Sequence, residues 1–121
     1  MKKDNLIAEK TKAFAIQIIH LYLYLSNERK EYVLSKQVLR SGTSIGANVK
    51  EATQAQSKAD FISKMSIALK EASETEYWLE LLKETSFLKE NLFKEIYEEN
   101  ESIIKIITKI IKTSKILPNN N

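Results

Sequence analysis

Residues able to do chemistry are few in this chain. It has one histidine, His20, and no cysteine. Thiolate nucleophiles, disulfides and Cys-based metal sites are therefore excluded, and a lone histidine is a poor start for a transition-metal centre. A di-iron bundle needs a Glu-x-x-His motif from each of two helices, and the sequence contains none. No glycine-rich phosphate loop or nucleophile elbow occurs. Acid pairs such as Glu98 and Glu99 fall on charged faces, and no paired-carboxylate site stands out. These absences point to a non-enzyme without cofactor or metal. Positive charge does occur in order. Lys105, Lys109, Lys112 and Lys115 recur at spacings of four, three and three, with no acid after Glu101. Such a row is either a solvated face suited to the carboxyl end of a helix dipole or a set of point charges for a phosphate backbone.

A second unusual stretch, Leu39 to Ala52 (LRSGTSIGANVKEA), holds both glycines of the chain, Gly42 and Gly46. Helical glycine costs roughly 1 kcal/mol, so two of them four residues apart predict close approach by a neighbouring helix. The Ala68 and Ala72 face of helix three is the expected neighbour. Asn48 falls on the expected buried line Leu34, Val38, Ser41, Ile45, Asn48 and Ala52. A buried amide needs a partner, which makes Asn48 either a ligand-touching group, with Glu51 nearby, or a polar pin fixing register between helices.

The elements that carry these residues follow from composition and period. The chain is 43% hydrophobic with only two Gly and one Pro among 121 residues, which favours a few long helices. Helix one is expected over about 4–26, with Asp4 or Asn5 near its cap and a core stripe of Ile7, Phe14, Ile18, Leu21 and Leu25. Helix two is expected over about 34–55 with Ser35 as cap, and helix three over about 58–85 with Ser57 as cap. Helix four is expected over about 89–116, with core positions Leu92, Ile96, Ile103, Ile107, Ile110 and Leu117. Short links make neighbours antiparallel, giving an all-α, up-and-down four-helix bundle in one domain, residues 1–117. Residues 118–121 read as a disordered tail.

Helix one also carries Ile16, Ile19 and Leu23 on nearly the opposite face. One apolar stripe explains the core; two call for a second partner surface or an extended flank of the same core. The first alternative predicts a homo-oligomer, with Trp78 and Leu81 of helix three as natural interface anchors. Charge is segregated too: residues 32–58 are net +3 and residues 59–88 net −3. Opposed segments suit complementary helix surfaces as well as nucleic-acid binding. No signal-peptide core or membrane span is evident, so a cytoplasmic location is expected.

Ser44, Ile45, Gly46, Ala47, Asn48, Val49, Lys50 and Glu51 form a Ser-Ile-x-Ala-Asn-x-x-Glu core. Its companion is Ala68, Leu69, Lys70, Glu71 and Ala72, followed by Glu74, Thr75, Glu76 and Trp78. Together these closely resemble the four-helix bundle family encoded within intervening sequences of bacterial 23S ribosomal RNA genes. The resemblance is strongest over about residues 34–82. It implies a small bundle that assembles into ring-shaped pentamers, with Gly42, Ser44, Gly46, Asn48 and Glu51 as a structural motif. A relative, the accessory variability protein of diversity-generating retroelements, binds nucleic acid through a basic bundle surface.

Two functional expectations follow. The first is an oligomeric bundle that binds structured RNA or an RNA-bearing partner. Its contacts would be Lys36, Arg40 and Lys50 on helix two with Lys105, Lys109, Lys112 and Lys115 on helix four. The rival is a protein-interaction scaffold without nucleic acid.

Overall fold

The computed structural model describes residues 2–118, with helical side chains described from Leu6 onward. Four helices form: α1 Lys2–Asn27, α2 Leu34–Thr53, α3 Lys58–Glu84 and α4 Glu90–Ile116. The expected residues 119–121 of the tail lie outside the described residues. Each helix packs on its sequence neighbour, and α4 returns more sparsely to α1. Among the described residues the backbones of the diagonal pairs α1–α3 and α2–α4 do not approach one another, so α2 and α4 stand at opposite corners of a square bundle.

The heptad stripes supply the core. Ile7, Phe14, Ile18, Leu21 and Leu25 of α1 are all buried, as are Met65, Ala68, Ala72, Leu79 and Leu82 of α3. Several positions depart from the expected lines. Val49, not Asn48, is the buried residue of α2; Asn48 is half-buried and donates its amide N–H to the Ser44 carbonyl of its own helix at 2.8 Å. A step of four from Ile45 serves the helical period as well as a step of three, and the apolar side chain takes the inside position. Leu117 caps α4 with extended backbone and is exposed. Asn100, which fills the gap between Ile96 and Ile103, is fully buried. Its amide donates to the Ala72 carbonyl at 2.9 Å, while its Oδ1 has no partner.

The glycines face α1 rather than α3. A Cβ on Gly42 would stand 2.8 Å from Ile18 Cγ1, and one on Gly46 would stand 3.2 Å from the Thr11 carbonyl oxygen. The polar pin between α2 and α3 is instead the buried pair Ser41 and Thr75, whose hydroxyls bond at 2.8 Å. Ala72 lies at the α4 contact, under Asn100.

The helix ends show what the sequence assigns well and badly. Ser57 caps α3 as expected, accepting from the Asp60 N–H at 3.1 Å. Ser35 does not cap α2; it lies inside the helix, and Glu31 does the capping. The Glu31 carboxylate accepts from the backbone N–H groups of Val33, Leu34 and Ser35 at 3.1, 2.9 and 2.7 Å. Burial alone would push this carboxyl up, but the backbone donors prevail and hold it below its ordinary value. α1 starts at Lys2, so Asp4 and Asn5 lie within its first turns. At the far end Arg29 donates to the Phe87 and Ser86 carbonyls at 2.9 and 3.2 Å, joining the α1–α2 link to the α3–α4 link. Lys30 and Ser86 adopt the left-handed backbone of these two turns, at φ 56° and 67°.

Candidate nucleic-acid interface

The carboxyl-terminal half of α4 separates its residues sharply. Ile103, Ile107, Ile110 and Ile111 are buried against the bundle, and this rotates Lys105, Lys109, Lys112 and Lys115 outward. All four lysines are exposed. Among the described residues none of them forms an ion pair; the paired cations are Lys10, Arg40, Lys64 and Lys83. Lys105, Lys109 and Lys112 line a shallow groove floored by Ile104 and Thr108. At 1.5 Å rise per residue the row from Lys105 to Lys115 spans about 15 Å, enough to follow a few consecutive phosphates. An unneutralised row of ammonium groups can bind a polyanion by releasing its counterions. It presents no planar fork and no aromatic ring for reading bases.

The basic residues of α2 are arranged differently. Lys36 and Lys50 are exposed, but α2 stands diagonally across from α4, so the two sets do not merge into one surface. Arg40 is engaged: its guanidinium bonds Glu74 and approaches Glu71 at 3.4 Å. Glu74 also accepts from the Trp78 indole N–H at 3.0 Å. That bond, with Arg40 behind it, holds the Glu74 carboxyl below its ordinary range. Arg40 is thus a neutralised bridge between α2 and α3.

The candidate assembly residues also fall on two separate surfaces. Ile16, Ile19 and Leu23 are 48%, 41% and 45% exposed on the outside of α1, a run of apolar surface the core does not cover. Trp78 and Leu81 are half-buried on α3, at the corner diagonal to α1. Exposed Tyr77 meets Trp78 edge-on, with ring centroids 5.3 Å apart. In the structural motif, Ser44 returns its hydroxyl to the Arg40 carbonyl at 2.6 Å, and exposed Glu51 pairs with Lys64 at 3.2 Å. Asn48 and Glu51 each have a local partner.

A model of the 23S rRNA-intervening sequence protein family matches residues 3–109. The chain belongs to this family. A crystal structure from Bacteroides thetaiotaomicron VPI-5482, of a protein of unknown function from the S23 ribosomal protein family, is 55% identical to it. The likeness covers 91% of this chain and 98% of that one, with a TM-score of 0.90. No curated protein matches the chain. The segments that carry the family resemblance, Ser44–Glu51 and Ala68–Trp78, occupy the α2–α3 half of the bundle. The lysine row lies on the remaining helix.

Sequence reasoning missed one cluster. Glu76 and Glu80 of α3 face Tyr97 and Glu101 of α4, and the Tyr97 hydroxyl donates to Glu80 at 2.9 Å. The signal was the polar gap in the α3 stripe at Thr75 and Glu76. Thr75 turns into the core, and Glu76 turns toward α4. Among the described residues no group of three or more His, Cys, Asp or Glu is placed to hold a metal ion. No described helix is long and apolar enough to cross a membrane.

Proposed function

We propose that this chain is a non-enzymatic, homo-oligomeric four-helix bundle of the cytoplasm that binds RNA, or a partner carrying RNA, through the outer face of α4. The observation that carries this reading is the lysine row Lys105, Lys109, Lys112 and Lys115, exposed and unpaired with acids among the described residues. Binding of this kind tracks the phosphate backbone and does not read sequence. Lys36 and Lys50, exposed on α2 at the opposite corner, lie apart from this row. The uncovered α1 stripe supports assembly. An apolar face on α1 and an aromatic one on α3 are two different patches on one protomer, which suits a ring closed by head-to-tail contacts. The family resemblance implies five protomers.

A gel-shift series with structured RNA at low salt tests the reading. The bundle retards the RNA and releases it as salt rises; absence of any shift at low salt would refute nucleic-acid binding. A protein scaffold is the second reading, favoured by the exposed Tyr77 edge-on to Trp78. A pull-down from the native host that enriches one protein and survives nuclease treatment would select it.

A further inference from the structure

The charges of α4 are sorted along its length. Residues 90–101 carry five glutamates and one lysine, a net −4, and residues 102–116 carry four lysines and no acid, a net +4. A helix dipole favours acids in the first turn and bases in the last, but the effect fades beyond those turns. Glu95, Glu98, Glu101, Lys105 and Lys109 all lie further in, so the dipole does not account for them.

The same order is displayed on one face. Glu98, Ser102, Lys105, Lys109 and Lys112 follow at steps of four and three, opposite the buried line Ile96, Ile103, Ile107 and Ile110. Ser102 is half-buried and the four charged residues are exposed. Glu99 is paired with Lys10, and Glu90 with Lys83. Among the described residues Glu95, Glu98 and Glu101 form no ion pair, and neither do the lysines that follow them. Two shallow grooves run along the stripe, one past Glu98 and Glu101, the next between Lys105 and Lys112. We propose that this face docks antiparallel on the same face of a second copy, and so covers the lysine row when RNA is absent. The second clause rests on the RNA reading above; the docking does not.

Charge complementarity selects the occupant. Ile103 is the midpoint of α4, and the change of sign falls there, between Glu101 and Lys105. Turning a second α4 end for end about that point sets each acid half against a basic half, over a length of about 40 Å. Glu101 then opposes Lys105, Glu98 the turn of Lys109, and Glu95 the turn of Lys112, each twice by two-fold symmetry. Lys94 is the one cation of the acid half, and Glu95 beside it faces the same lysine. RNA matches the lysine half alone and is repelled by the other. Exposed ion pairs are individually weak and screened by salt. The docking is therefore a contact of low salt and high protein concentration, open to displacement by RNA.

The chain has no cysteine, so an introduced one reports its own position. In the antiparallel pair two copies of residue 102 stand about 3 Å apart along the axis, and two copies of residue 91 about 36 Å apart. At low salt a short bismaleimide is expected to link Ser102→Cys into dimers and to leave Asn91→Cys unlinked. The Ser102→Cys dimer should be lost at about 1 M salt, where the screening length is about 3 Å. In that background Lys105→Glu, Lys109→Glu and Lys112→Glu together abolish the dimer, and adding Glu95→Lys, Glu98→Lys and Glu101→Lys restores it. Absence of the Ser102→Cys dimer at low salt overturns the proposal. Equal linking of Asn91→Cys does so too, as does a folded six-charge variant that stays unlinked. The comparison of residues 102 and 91 decides alone if that variant does not fold. Structured RNA should also abolish the dimer. A gel shift with the dimer intact refutes RNA binding at the α4 row and leaves the docking standing.

Discussion

Gly42 of α2 sits directly against Ile18 of α1, so close that a methyl group on the glycine would stand 2.8 Å from Ile18 Cγ1. Both residues are buried, and Ile18 is held by the core on its other sides. In an open helix Gly→Ala stabilises by roughly 1 kcal/mol. Here overpacking, typically about 1–3 kcal/mol, outweighs that gain. Gly42→Ala is therefore expected to lower the midpoint of urea unfolding. Gly46→Ala meets the Thr11 backbone at 3.2 Å and is expected to cost less, since a shift of a few tenths of an ångström relieves it. A Gly42→Ala protein more stable than wild type would contradict this account of the α1–α2 contact.

Glu31 is expected to matter more than its position in a link suggests. It satisfies the first three N–H groups around the start of α2, so Glu31→Ala should cost about 1–3 kcal/mol. Its folded value lies below the ordinary 4.5. The stabilisation is therefore present above 4.5 and disappears as pH falls through the folded value. Acid unfolding monitored by circular dichroism should show wild type losing stability below that point more steeply than Glu31→Ala.

Asn100 makes one bond and leaves Oδ1 buried without a partner. The Ala72 carbonyl also lies within α3, where the helix ladder supplies a donor. Replacing the amide by an apolar group of similar shape removes an unpaired acceptor. Asn100→Leu is expected to leave the melting temperature unchanged or raised; a large drop would mean that Oδ1 is bound to ordered water the bundle depends on.

These cases mark what the sequence could and could not convey. The core stripe of α1 was legible because Phe14, Ile18, Leu21 and Leu25 are apolar residues at three-four steps. Asn48 and Val49 were not separable by period alone, because both lie within a step of Ile45 and Ala52. The small face of α2 announced a close contact but not with whom, since short links place both α1 and α3 beside it. Glu31 was hidden for a different reason: its role depends on a link that folds back, which no helical period encodes. The lysine row was plain in the sequence. That Arg40 is tied to Glu71 and Glu74 required the α2–α3 register.

Assembly is checked through α1. Ile16, Ile19 and Leu23 are exposed in one protomer and should be covered in the oligomer. Light scattering coupled to size exclusion is expected to find a multimer for wild type. Ile19→Asp, a charge at the middle of the stripe, should shift it toward a folded monomer. A wild-type monomer would refute the assembly reading.

Nucleic-acid binding by the α4 lysine row is the central claim, and its salt dependence is the most direct measure. Fluorescence anisotropy with a labelled structured RNA should give an affinity that falls linearly on a log–log plot against salt. Changing Lys105, Lys109, Lys112 and Lys115 together to Gln should weaken binding and reduce the slope by about 3 per protomer engaged. The same slope and affinity in wild type and the four-lysine variant would contradict the claim.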